Sequence, residues 1–301
     1  VIALDEYRHY VRSAEHCFVS QPNLTMQVKK LEEEIGVKIF DRDKKPLQPT
    51  EIGKKVIIRA RQILRESKQL KEFVNHEKES MEGDFTIGII PTLAPYLLPR
   101  FLPLFMKENP LVHLKIQELQ TGQIISQLEN GIIDIGFLVT PINENSIREI
   151  PLFYEPFLLY LPEKHRFLDE KLMLADDLDP SEVLVLAEGH CFREQALSIC
   201  KDANYGSSIG FDYQSGSIEA LKNLVQNGVG YTLVPELSVV NELNSPHVKR
   251  FTKPEPVREV SIVVHNSYIK ESVIQRLKET VQKVIPDRFL ERQSIVEFDW
   301  N

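Results

Sequence analysis

Two cysteines, Cys191 and Cys200, have the residue types and the spacing for reversible redox chemistry. Cys191 follows Gly189 and His190 at the predicted start of a helix, where unpaired backbone N–H groups and the helix dipole stabilise a thiolate. Arg193 adds a cation two residues further on. The pattern therefore predicts a reactive thiol at Cys191.

The spacing of the two cysteines sets a geometric condition on any bond between them. A helix that runs from Cys191 to Cys200 separates them by about 13.5 Å, whereas a disulfide needs Cα atoms within roughly 7 Å. A regular helix and a disulfide therefore cannot exist together here. The alternative is that both cysteines are small, buried, apolar residues. We assign Cys17 to that second class, because it follows Val11 and Ala14 on the expected inner face of a helix.

The sequence lacks the motifs typical of nucleotide, zinc and serine-nucleophile chemistry. The sequence has no Gly-x-x-x-x-Gly-Lys-Ser/Thr run, no His-Glu-x-x-His pair and no Gly-x-Ser-x-Gly elbow. Three cysteines also form neither a secreted disulfide framework nor a zinc ribbon. We therefore expect no cofactor, no metal and no enzymatic role.

Charge is distributed unevenly along the 301 residues. Residues 1–81 hold 16 Lys+Arg against 13 Asp+Glu, a net charge of +3, which leaves 20 against 31, a net charge of −11, for residues 82–301. A basic leading module joined to an acidic body is typical of a protein whose first part alone approaches nucleic acid. No run of 18 apolar residues and no signal-peptide pattern occurs, so we expect a cytoplasmic protein without membrane contact.

The basic module has the pattern of a helix-turn-helix. Apolar residues recur at helical spacing in three stretches between residues 1 and 40, and Ser20 and Pro22 mark the start of the third. Small and amide side chains on this helix are suited to DNA base edges: Ser20, Gln21, Pro22, Asn23, Thr25 and Gln27. Cations are expected to contact phosphates: Lys29, Lys30, Arg42, Lys44 and Lys45. An ordinary amphipathic surface helix would fit the periodicity equally well.

The rest of the chain predicts one long helix followed by alternating strands and helices. Residues 51–81 combine an apolar seam with many charges, which indicates an exposed helix that dimerises. From residue 84 onward the alternation of short strands and helices predicts parallel α/β construction in two similar lobes.

Three segments together resemble the signature of the LysR family of transcription regulators: residues 19–25, 31–42 and 49–53. The resemblance implies an α/β protein with a winged helix-turn-helix in residues 1–50, its first helix shorter than usual, and a linker helix in 51–82. It further implies a regulatory domain in 83–301, related to periplasmic binding proteins. One lobe is expected in about 83–157 and 265–301, the other in about 158–264. Asn23 and Thr25 stand where the family more often has Ala or Thr and Ser.

The cysteine segment resembles the peroxide-sensing OxyR branch of that family, through Gly189-His190-Cys191 with Arg193 and Cys200. Residues 90–99 and 118–121 resemble the segments that line the peroxide pocket in that branch. The resemblance implies that peroxide oxidises Cys191, that Cys200 then closes a reversible disulfide, and that Thr92, Thr121, His190 and Arg193 bind peroxide. Thr92 and Thr121 are equally suited to capping the helices that follow them.

Three hypotheses about function follow. The first is a peroxide-sensing activator of defence genes that binds operator DNA as a homotetramer and contacts RNA polymerase, as the resemblance implies. The second is a LysR regulator controlled by a small metabolite, with incidental cysteines. The third is a thiol peroxidase, which must explain the DNA-reading module and the lack of a Cys-x-x-Cys pattern.

Overall fold

The computed structural model describes residues 1–75, 82–200, 209–210 and 213–291. The chain forms two compact units, Val1–Lys78 with Asn130–Ile132, and Glu79–Glu129 with Ile133–Asn301. Among the described helices, none is both long enough and apolar enough to span a bilayer.

The first unit contains three short helices, a two-stranded wing and a long helix. They are α1 (Ile2–Tyr7), α2 (Tyr10–His16), α3 (Gln21–Ile35), β1 (Phe40–Asp41), β2 (Gln48–Pro49) and α4 (Glu51–Asn75). Gly36 ends α3 in the left-handed conformation (φ 73°), which glycine adopts without steric cost. These elements confirm the predicted winged helix-turn-helix. The long helix was predicted to reach residue 81, and residues 76–81 lie outside the described part of the chain.

A small apolar core holds this unit together, and Cys17 is not part of it. The buried side chains are Leu4, Ala14, Leu24, Val28, Ile39, Phe40, Leu47 and Ile57. Cys17 is exposed, so its predicted core position is wrong. The physical reason is that α2 ends at His16 and Cys17 is its C-cap, after which Phe18 takes a positive φ of 55° and leads the chain outward.

The second unit contains a mixed sheet flanked by helices. Its strands are β3 (Gly83–Ile89), β4 (Val112–Glu118), β5 (Ile135–Thr140), β6 (Ile147–Tyr160), β7 (Leu172–Met173), β8 (Val183–Leu184), β9 (Tyr231–Pro235), β10 (Val248–Phe251) and β11 (Val257–His265). Its helices are α5 (Ala94–Glu108), α6 (Thr121–Glu129), α7 (Cys191–Cys200), α8 (Ile218–Gln226) and α9 (Glu271–Val284). Short 3-10 turns connect several of these elements.

The sheet is not parallel throughout, contrary to the prediction. β3 pairs in parallel with β4 and β5, whereas β11 is antiparallel to both β5 and β6. β6 continues into antiparallel pairs with β9 and β10. The alternation of strands and helices in the sequence predicted the parallel part correctly. It did not predict the antiparallel strands β6 and β11, because an antiparallel pair needs no helix between its strands.

Two apolar cores lie in this unit. One includes Phe101 and Phe137, the other Phe157 and Phe192, and β6 contributes side chains to both. Val260, at the centre of β11, packs in the first core. The lobe bounds near 157 and 264 stay a prediction.

Candidate functional site

Helix α7 places the two candidate redox cysteines at its opposite ends. The helix begins at Cys191, as predicted, and ends at Cys200, and both thiols are free. Cys191 is half-buried and packs against the first apolar core, whereas Cys200 is buried in the second. Ten helical residues rise by about 1.5 Å each, so the thiols cannot form a bond while α7 is intact.

A narrow gap beside Cys191 brings together most of the residues proposed for peroxide. Its lining consists of Ile90, Pro91, Thr92, Gln120, Thr121, Gly189, His190 and Cys191. The gap leaves no room for a water molecule in this conformation. Neither threonine caps a helix through its side chain: Leu93 is the N-cap of α5, and the buried hydroxyl of Thr121 makes no hydrogen bond of ordinary geometry.

A larger cavity, of about 240 Å³, also touches Cys191 and Thr121. Its remaining lining is mostly apolar and includes Ile125, together with Glu194 and Gln195 from α7. Gln195 is buried, and its side-chain oxygen has no hydrogen-bond partner among the described residues. Cys191 therefore borders a space that is large enough for a small molecule.

The thiol at Cys191 is less acidic than the sequence predicted. Burial raises its pKa, and this effect outweighs the neighbours that lower it: Thr121, the charge of Arg258 and the backbone N–H of Phe192. Glu194 raises the pKa further. The helix start does favour the thiolate, as predicted, but the loss of solvent at the site matters more. Thr121 lowers the pKa as a hydrogen-bond donor near the sulfur, although the geometry falls short of a well-formed hydrogen bond.

Arg258 is a cation that lowers the pKa of this thiol, and the sequence analysis did not identify it. Arg193 donates from Nη1 to the backbone oxygen of Leu186 at 2.8 Å. Arg258, on β11, is fully buried and donates from Nη1 to the Thr92 hydroxyl at 3.1 Å. Sequence reasoning missed Arg258 because it lies 67 residues (258 minus 191) from Cys191 and joins the site only through the fold.

His190 is held against the gap by close backbone packing. Its Nε2 lies 3.5 Å from the side-chain nitrogen of Gln120, and a Cβ added at Gly216 would lie 2.8 Å from that same Nε2. Gly189, with a φ of 84°, directs the chain into this position. Burial lowers the pKa of His190, and Glu194 opposes that shift. The imidazole is therefore biased towards its neutral form.

Cys200 is an inert thiol while α7 is folded. It is buried among apolar side chains, and burial raises its pKa to about 12. A thiol of this kind is almost wholly protonated near neutral pH and attacks only after its surroundings change. Cys191 is thus the better placed of the two for the first oxidation.

The candidate DNA-reading surface lies on α3 of the other unit. Pro22 is in the first turn, and Gln21, Asn23 and Gln27 are exposed, while Leu24 and Val28 are buried on the opposite face. Ser20 is the N-cap by position, but its hydroxyl makes no capping bond and remains exposed. Thr25 is half-buried and donates its hydroxyl to the Gln21 backbone oxygen at 2.9 Å.

The candidate phosphate contacts differ in their pairing. Lys30, Lys44 and Lys45 are exposed. Lys29 pairs with Glu33 at 3.5 Å on the same helix. Arg42 pairs with the buried Glu32 at 2.9 Å, and that carboxylate also accepts from the backbone N–H of Ile39 and Phe40. Glu32 therefore ties α3 to the wing, a role that the sequence analysis did not identify.

Within the described residues, no three His, Cys, Asp or Glu side chains come together as potential metal ligands.

Two family models match this chain. Residues 1–54 match a bacterial regulatory helix-turn-helix protein of the lysR family, and residues 78–285 match the LysR substrate binding domain. Together the two matches cover most of the sequence, with the linker helix between them.

Curated relatives match nearly the whole chain. A hydrogen peroxide-inducible genes activator of Pectobacterium carotovorum subsp. carotovorum is 35% identical over 285 residues, which is 94% of this chain and 94% of the relative. The DNA-binding transcriptional dual regulator OxyR of Escherichia coli K12 is 35% identical over 291 residues, covering 96% and 95%.

Solved structures give the same result for the fold. A full-length OxyR from Pseudomonas aeruginosa with a cysteine-to-aspartate substitution has a TM-score of 0.80 and 30% identity, covering 94% of this chain and 96% of that one. A Corynebacterium glutamicum OxyR cysteine-to-serine mutant with bound H2O2 has a TM-score of 0.63 and 28% identity, covering 94% and 89%.

Proposed function

The chain belongs to the LysR family of bacterial transcription regulators, in the branch that contains OxyR, and we propose that Cys191 and Cys200 make it a reversible hydrogen peroxide sensor. The observation that carries the proposal is helix α7, which holds two free thiols too far apart to bond. One of them, Cys191, lies beside the narrow gap that Thr92 and Thr121 line. An oxidant that joins the two thiols must change the shape of the protein.

The first chemical step takes place at Cys191. Its thiolate attacks one oxygen of hydrogen peroxide, so that an S–O bond forms, the O–O bond breaks, and hydroxide leaves and takes up a proton to become water. Cys191 becomes a sulfenic acid. We propose that Thr92 and Thr121, which line the gap beside Cys191, hold the peroxide, and that the charge of Arg258 stabilises the thiolate. The narrow gap must widen to admit peroxide, or peroxide must arrive from the larger cavity.

The second step joins the two cysteines. Cys200 attacks the sulfenic sulfur of Cys191, so that an S–S bond forms and the oxygen leaves as water after protonation. The step requires α7 to unwind and Cys200 to leave the second core, and unwinding also exposes the thiol whose pKa burial had raised. A single chemical event thereby becomes a refolding of the regulatory domain.

The DNA-binding unit reads the operator through α3. We propose that Gln21, Asn23, Thr25 and Gln27 face base edges in the major groove, with Ser20 and Pro22 fixing the helix start near the backbone. Lys29, Lys30, Arg42, Lys44 and Lys45 are proposed to contact phosphates. Arg42 and Lys29 must exchange their present carboxylate partners to do so.

The assembly follows from the same family relationship. We propose a cytoplasmic homotetramer in which oxidation changes the spacing between pairs of DNA-binding units, and through it contact with RNA polymerase at defence genes. The cysteines are expected to react once per signal, which is the behaviour of a switch and not of an enzyme. In this switch Thr121 and His190 contribute to peroxide binding. Arg193 stabilises the start of α7 through its hydrogen bond to the Leu186 backbone oxygen.

The experiment that tests this function compares operator binding by the wild-type protein and by Cys191→Ser. We expect equimolar hydrogen peroxide to change the footprint or the affinity of the wild type only, with reversal by a dithiol. Cys17→Ser is the matched control and should respond as the wild type does, because that thiol is exposed and lies in the other unit. An unchanged wild-type footprint would favour control by a small metabolite.

A further inference from the structure

Arg258 is a buried cation whose position bears directly on the redox site. Its side chain is 1% exposed, and its guanidinium stands 5.5 Å from the centre of the Phe192 ring, the residue next to Cys191. A buried charge of this kind is tolerated only where protein groups replace the lost water. The groups that do so determine where the cation sits.

Glu155 supplies the opposite charge from the neighbouring strand. It lies directly across from Arg258 in the β6–β11 register and is fully buried. Its Oε2 accepts from Nε of Arg258 at 2.9 Å and from Nη2 at 2.7 Å. Two donors on one oxygen fix the plane of the guanidinium as well as its distance.

The far side of the same guanidinium reaches Thr92. Nη1 donates to the Thr92 hydroxyl at 3.1 Å, and Nη2 donates to the Thr92 backbone oxygen at 3.2 Å. Because the hydroxyl oxygen accepts from Arg258, its own hydrogen must point elsewhere, and Thr92 lines the gap beside Cys191. The orientation of Arg258 thus determines how Thr92 is presented to the site.

The second carboxylate oxygen of Glu155 is also in use. Oε1 accepts from the backbone N–H of Leu237 at 2.8 Å, at the turn that follows β9. Both oxygens must therefore be acceptors. An amide has only one acceptor, so glutamine at this position would set its NH₂ group against either Leu237 or Arg258.

We propose that Glu155 is a positioning residue for the redox site, which holds the Arg258 guanidinium against Thr92 and beside Cys191 so that thiol and hydroxyl meet peroxide in a fixed arrangement. The proposal deepens the function proposed above and rests on it for the identity of the oxidant. Glu155 touches neither the thiol nor the gap, and it acts through Arg258 and Thr92.

The groups that act on the thiol are few enough for this role to be measurable. Among the described residues they are Thr121 from α6, Arg258 from β11, and Glu194 with the Phe192 N–H from α7 itself. Arg258 is the cation in this set. Displacing its guanidinium removes a charge that stabilises the thiolate, so the thiol becomes less acidic.

The test is the pH profile of Cys191 alkylation by iodoacetamide in the full chain, followed by peptide mass mapping. We expect Glu155→Gln to slow alkylation at pH 8 by roughly three- to tenfold, because a rise of one pKa unit reduces the thiolate fraction about tenfold. The profile should shift to higher pH and not merely decrease. Glu155→Asp, which keeps two acceptor oxygens, should lie closer to the wild type.

Glu236→Gln is the matched control. Glu236 is equally buried and pairs with Arg250 and Arg288, but it does not bond Arg258 or Thr92. Both glutamine variants should lower the thermal midpoint, whereas only Glu155→Gln should shift the alkylation profile. Equal shifts in the two variants, or a profile for Glu155→Gln that is unchanged or moved to lower pH, would overturn the proposal.

A double variant decides whether Glu155 acts through Arg258. Arg258→Met removes the cation, so adding Glu155→Gln to this variant should produce no further shift of the alkylation profile. The double variant also leaves no unpaired buried charge, because both members of the ion pair are replaced by neutral side chains. An additive shift would show that Glu155 acts by another route and would overturn the proposal. Alkylation needs no peroxide, so a protein that failed as a peroxide sensor would still return a clear result.

Discussion

The proposed unwinding of α7 makes a quantitative prediction about Ile199. This side chain is 1% exposed and packs in the second apolar core, one residue before Cys200. If the disulfide forms only when α7 unwinds, Ile199 stabilises the reduced protein but not the oxidised one. Ile199→Ala should then destabilise the dithiol state selectively.

The expected size follows from the burial of the side chain. Replacing a buried Ile by Ala costs about 2–5 kcal/mol. For a two-electron couple about 30 mV corresponds to 1.4 kcal/mol, so the midpoint potential should fall by roughly 40–110 mV. The sign is negative because a less stable dithiol product makes the disulfide harder to reduce.

The assay is equilibration in dithiothreitol redox buffers, with the Cys191–Cys200 pair quantified by mass spectrometry. Leu221→Ala is the matched control, since Leu221 is also 1% exposed in the same core but lies on α8, outside the segment between the cysteines. It should destabilise both redox states and leave the potential nearly unchanged. Equal shifts for the two variants would refute the idea that α7 unwinds.

Two further predictions concern the pocket and the DNA surface. Gly216→Ala places a Cβ 2.8 Å from Nε2 of His190, so the ring must move, and the rate of Cys191 oxidation measured by stopped flow should fall about tenfold. Gly122→Ala is the control, because its added Cβ meets open space and should not change the rate. Equal oxidation rates in the two variants would contradict the role of His190. Lys30→Gln should weaken binding to all DNA sequences and reduce the slope of log K against log salt concentration by about 1. Gln21→Ala should instead cost about 1–3 kcal/mol of binding free energy at one operator position. Equilibrium binding at several salt concentrations measures both effects.

Local sequence signals predicted the local structure well. The start of α7 at Cys191 and the end of α3 at Gly36 follow from backbone preferences that a short segment carries by itself. The full length of β6, Ile147–Tyr160, is hard to infer from sequence, because Pro151 and Pro156 interrupt its apolar pattern. The strand tolerates these prolines because its other residues remain paired with β11 and β9.

The redox site shows what a sequence alone does not reveal. Arg258 and Glu155 are 103 residues apart and meet only because β6 and β11 are paired in antiparallel register. Charge near Cys191 was therefore assigned to Arg193, the nearest cation in the sequence. The acidity of the thiol was overestimated for a related reason: dipole and charge can be inferred from sequence, whereas the extent of burial depends on the packed fold.

The most direct test of the central claim is intact-mass analysis with peptide mapping after one equivalent of hydrogen peroxide. We expect a loss of two mass units with Cys191 joined to Cys200, and in Cys200→Ser a sulfenic acid confined to Cys191. Both thiols remaining free to alkylation after this treatment, with α7 still protected from hydrogen exchange, would contradict the account.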